Sequence, residues 1–81
     1  VRDYWVKVGD SKQPTVRLGT GLELKIFLFG VFVGDGHHID RADALAEGIA
    51  DRLVRGGQYP DRKAAELADG RQIYAWQEGS E

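Results

Sequence analysis

The feature that most limits what this chain can become is the run from Leu22 to Val33, where Ile26, Phe27, Leu28, Phe29, Val31, Phe32 and Val33 crowd around a single Gly30. Leu22, Leu24, Ile26 and Leu28 alternate with Glu23 and Lys25, the period of a strand, and Gly19-Thr20-Gly21 ahead of them supplies the residues of a tight hairpin reversal. From Phe27 onward the polar alternates disappear. Read as a strand, the segment reaches ~40 Å at about 3.3 Å per residue, well beyond the usual five or six residues, so a bulge or kink at Gly30 is expected. Both faces of such a ribbon need cover. A chain of 81 residues builds a single core that buries roughly 60% of its surface. A two-layer domain of that size shields one sheet face, and the other is expected to meet another molecule.

The remaining elements follow from shorter patterns. Tyr4, Val6 and Val8 alternate with Trp5 and Lys7 in a first strand; Gly9, Asp10, Ser11 and Pro14 break it, and residues 15–18 resume the alternation. Asp35-Gly36 is a turn signal, and Asp40 is the expected N-cap of a helix whose Ala42, Leu45, Ala46, Ile49, Ala50 and Leu53 draw one apolar stripe up to Gly56-Gly57. Acids early and arginines late in that helix suit its dipole. Pro60 is expected to open a second, shorter helix with Ala64, Ala65, Leu67 and Ala68, ended by Gly70. Residues 72–76 form a closing strand, placed parallel to an earlier strand if the helices carry the chain back across the sheet, and 77–81 are a solvated tail. The expectation is one α+β domain over residues 1–76, with a mainly antiparallel sheet of about four strands, order β-β-β-α-α-β, and helices packed on one face.

Composition narrows the function classes. A hydrophobic fraction of 42% with 30% charged residues is that of a globular protein, and the absence of cysteine removes disulfide frameworks and cysteine-bearing zinc sites. The longest apolar-rich run, 26–33, falls short of the ~20 residues of a membrane-crossing helix, and the start lacks the basic and apolar pattern of a secretory leader. A soluble, cytoplasmic protein with no membrane partner is expected. Arginine outnumbers lysine, and alanine, glycine and aspartate are frequent, a bias resembling that of a high-GC bacterium or its phages.

Chemistry concentrates in Asp35-Gly36-His37-His38-Ile39-Asp40, where imidazoles and carboxylates of the kind zinc or iron accepts stand together. Adjacent histidines on an extended segment point to opposite sides, however, and the chain holds no third histidine. Turn and capping roles explain the same residues, so no metal or other cofactor is assigned. Ser11, Ser80, Thr15 and Thr20 lie in no activating context, and no phosphate-cradling glycine pattern occurs. No catalytic residue is assigned and a non-enzymatic role is expected. The formal charge is −2, which removes the general attraction behind most nucleic-acid affinity. Arg52, Arg55, Arg62, Lys63 and Arg71 are the candidates if the helical side nonetheless binds phosphate.

The leading expectation is a small protein-interaction module that self-associates, accessory or inhibitory in role. Its contact residues are drawn from the aromatic-rich set Phe27, Phe29, Phe32, Val33, Trp5 and Trp76. A metal-binding protein or metal-dependent enzyme using Asp35, His37, His38 and Asp40 is the first alternative, and nucleic-acid binding through the basic residues is the second.

Overall fold

In the computed structural model, which describes residues 3–9, 15–55 and 63–77, the chain runs through β1 (Tyr4–Val8), β2 (Val16–Leu18), α1 (Gly21–Gly34), α2 (Ile39–Val54), β3 (Lys63–Glu66) and β4 (Gln72–Gln77). The class is α+β with a four-stranded antiparallel sheet. The order β-β-α-α-β-β replaces the expected β-β-β-α-α-β at two points: the long apolar run is a helix, and the segment expected as a second short helix contributes an edge strand.

Local chemistry explains why residues 21–34 coil. Thr20 is extended and caps the helix, its Oγ1 accepting from the Glu23 N–H at 3.1 Å, while Glu23 Oε1 reaches back to accept from the Gly19 N–H at 2.9 Å. This pair, a variant of the capping box, satisfies one first-turn N–H and ties the residue ahead of the cap back to the helix. At the far end Gly36 adopts φ +102°, and the N–H groups of His37 and Gly36 donate to the carbonyls of Phe32 and Val33 at 3.1 and 3.0 Å. That double closure requires a left-handed residue, which glycine supplies at no steric cost. The His37 ring seals it by meeting Phe32 edge-on, with centroids 5.5 Å apart.

The two helices pack through rows of residues four apart. Leu24, Leu28 and Phe32 form a buried ridge on α1, and Ala42, Ala46 and Ala50 form a buried row of small side chains on α2; a ridge of large residues can enter a groove lined by alanine closely. Ile49 and Leu53 complete the α2 stripe. The cap of α2 is His38, not Asp40: His38 Nδ1 accepts from the Asp40 N–H at 3.2 Å. The expected stop at Gly56-Gly57 lies outside the described residues.

The sheet order is β2-β1-β4-β3. The closing strand lies antiparallel to both neighbours, with Val6 opposite Ala75 and Trp5 opposite Trp76, so the parallel placement does not occur. Val6, Ile73 and Ala75 join the helices' core, and since successive strand residues face opposite ways, Trp5, Tyr74 and Trp76 belong to the sheet's outer face. β3 pairs with β4 through Lys63, Ala65 and Glu66 and carries an irregularity between Lys63 and Ala65. The turn after it is closed by the Gly70 N–H on the Leu67 carbonyl at 3.0 Å and the Leu67 N–H on the Arg71 carbonyl at 2.6 Å, with Gly70 at φ +93°. This is a three-residue hairpin loop with glycine in the left-handed position. Pro60, expected to open a helix, and the tail residues 78–81 lie outside the described residues, while Gln77 belongs to β4. No helix among the described residues is long and apolar enough to cross a membrane.

Candidate interaction surfaces

α1 is apolar on nearly every side, but the core uses one side. Leu22 and Ile26 stand 67% and 62% exposed on the other, with Val33 exposed and Phe29 half-buried beside them. Continuing the four-residue row beyond Ile26 leads to Gly30 and Gly34, and a Cβ built on either would meet nothing within 4 Å. The outer row therefore has a bulky half and a bare half. A shallow hollow of about 210 Å³ opens beside Leu22, Ile26 and Phe29, bordered by Lys25 and Asp43. Lys25 Nζ lies 3.8 Å from Asp43 Oδ1 and ties this margin to α2.

The six contact residues expected from the sequence separate into three places. Val33 is exposed on the outer side of α1, while Phe27 and Phe29 are both half-buried against the core, Phe29 also bordering the hollow beside Leu22 and Ile26. Phe32 is fully buried and offers a partner nothing, because helical geometry turns it inward where a strand would have placed it elsewhere. Trp5 and Trp76 lie across the sheet, parallel within 8° and 6.4 Å apart. The Arg17 guanidinium lies 5.7 Å from the Trp5 ring. Leu22 and Ile26, the most exposed large apolar residues of α1, lie outside that set; strand alternation puts them on one face with Leu24 and Leu28, whereas the helix buries Leu24 and Leu28 and turns Leu22 and Ile26 out.

Asp35 and its neighbours form a structural junction. The Asp35 carboxylate, 4% exposed, accepts from the Ala68 N–H at 2.5 Å and lies 3.9 Å from Arg71 Nη2, fastening the α1–α2 turn to the β3–β4 turn. His37 Nδ1 is 3.3 Å from the same carboxylate but off the hydrogen-bonding direction. His38 and Asp40 point outward, with 79% and 95% of their side chains exposed. Among the described residues no group of three or more histidines and acids is placed to hold a metal ion.

The described basic candidates are spread over three elements. Arg52 lies on α2 and Arg55 is its C-cap, pairing with Asp51 at 3.3 Å; Arg62 lies outside the described residues; Lys63 is on β3. Arg71 donates to Asp69 at 2.7 Å, and the Asp69 carboxyl is held below the usual carboxylate range, first by the Arg71 backbone N–H and then by its guanidinium. The described residues thus form an α+β fold with an apolar flank on α1 and an aromatic outer face on the sheet. Comparison with protein-family models, curated proteins and solved structures finds no match.

Proposed function

We propose that this protein is a non-enzymatic interaction module that pairs with a second copy of itself through the outer side of α1. One observation carries the reading: the exposed row Leu22, Ile26, Gly30, Gly34 is bulky in its first half and bare in its second. A two-fold axis across that row sets Ile26 against the partner's Gly30 and Leu22 against the partner's Gly34, twice over. Such reciprocity is what a symmetric contact demands, since each copy supplies both the projection and the recess. Rows of residues four apart on both helices also interdigitate at the commonest crossing geometry. Burial of Leu22 and Ile26 supplies the driving force, at about 1.5 to 3 kcal/mol for each fully covered side chain.

Sedimentation of the full chain at micromolar concentrations tests the reading. A dimer is expected, and Ile26→Glu should yield a monomer with unchanged helical content. Gly30→Leu should also dissociate the dimer, because it fills the recess while adding apolar surface. A general sticky patch would associate more strongly with that leucine. A wild-type monomer throughout, or a Gly30→Leu protein that pairs as well as wild type, overturns the proposal.

A further inference from the structure

We infer that α2 takes part in the self-association, so that two copies meet as four helices; the inference rests on the pairing of α1 proposed above. Among the described residues five large apolar side chains stand exposed: Leu22, Ile26 and Val33 on α1, and Ile39 and Val54 at the two ends of α2. At 3.6 residues per turn, Ile39, Asp43 and Val54 fall within about 60° of one another around α2 and share one flank. The contact of Lys25 with Asp43 at 3.8 Å sets that flank beside the outer side of α1. These two charges answer each other in the middle of the flank, and its ends are apolar. Asp40, Glu47 and Asp51 lie farther round α2 and exposed, where the rim of a contact is polar and wet.

The two-fold axis fixes what each end of α2 meets. A Cβ built on Gly21 would stand 2.7 Å from Val54 Cγ2, so Val54 lies at the start of α1. Ile39 opens α2 just after the turn that ends α1, and lies at the other end. An axis that sets Leu22 on the partner's Gly34 reverses α1 end for end, and a two-fold keeps like flanks on the same side. Val54 of each copy is therefore brought to Ile39 of the other, with Val33 at the same end of α1 as Ile39. One contact covers all five side chains. Size points the same way. The 14 residues of α1 make a strip ~21 Å long and about 10 Å wide, a footprint of roughly 200 Å², whereas a stable interface takes roughly 800 Å² from each partner. A second helix widens the strip toward that size.

Sedimentation of the full chain at micromolar concentrations reads this contact, with Ile39→Asp and Val54→Lys as probes. Each exchange suits the helix dipole, an acid in the first turn and a cation in the last, and each alters an exposed side chain, so the circular dichroism spectrum should not change. Either variant alone should weaken self-association by about tenfold or more, because two apolar contacts are lost per dimer. An equimolar mixture of the two variants should associate more tightly than either alone, since the new acid meets the new cation across the axis. Within one chain the two positions stand ~22 Å apart along α2, so that gain can come only from a contact between copies. A wild-type dimer that Ile26→Glu dissociates, but whose Ile39→Asp and Val54→Lys variants pair undiminished or gain nothing on mixing, overturns the inference and leaves the α1 pairing standing. A wild-type monomer throughout overturns both.

Discussion

Gly9 ends β1 at a place where no side chain fits. A Cβ there would stand 2.7 Å from Tyr74 Cε2 and 3.0 Å from the Gln72 carbonyl oxygen, the same oxygen that accepts from the Gly9 N–H at 2.6 Å. The tyrosine ring could swing aside, but the backbone oxygen is fixed by its own hydrogen bond. Gly9→Ala is therefore expected to destabilise the protein by about 1 to 3 kcal/mol, the usual range for overpacking. Gly48 gives the opposite case: it lies exposed in the interior of α2, with nothing within 4 Å of an added Cβ. Gly48→Ala should stabilise by about 0.5 to 1 kcal/mol through helix propensity and the entropy of the unfolded chain. Urea melts of the two variants should shift in opposite directions; shifts of the same sign would contradict the assigned surroundings.

At the scale of elements, α1 shows why an apolar run is ambiguous. When nearly every position is apolar, a period of two and a period of 3.6 are satisfied alike, and length and flanking residues must arbitrate. Both arbiters were present: Thr20-Gly21-Leu22-Glu23 is a capping-box pattern, and fourteen residues is helix length. The glycines on either side of that threonine suit a hairpin reversal as well as they suit a helix cap. Thr20→Ala should cost about 1 kcal/mol by thermal melting, as loss of an N-cap does, whereas Glu23→Gln retains an acceptor for the Gly19 N–H and should cost less. Equal stability of Thr20→Ala and wild type would show that the cap does not hold the helix. In β3, alanines and a lysine favour helix locally, yet pairing with the open edge of β4 overrides them. The Asp69-Gly70 hairpin signal was the clue to that outcome. The stripe of α2 was legible because its polar side marks the period, and β1, β2 and β4 because they are short alternating runs bounded by turn residues.

For the whole molecule, one core shared by two layers leaves α1's flank and the sheet's outer face uncovered by the described elements. If α1 pairs two copies, mass action ties folding to association, and the midpoint of thermal unfolding should rise with protein concentration. Ile26→Glu should melt at a midpoint independent of concentration, and a wild-type midpoint equally independent would remove the coupling. The sequence by itself determined the α+β class, the long amphipathic helix and the alternating strands, because those patterns act over a few residues and carry their own contrast between wet and dry sides. Tertiary structure decided that the apolar run coils and that the alanine-rich segment extends. It also decided which residues of the aromatic set face out, since these outcomes depend on α2's row of alanines and on a β4 held in the sheet by β1 from the other end of the chain.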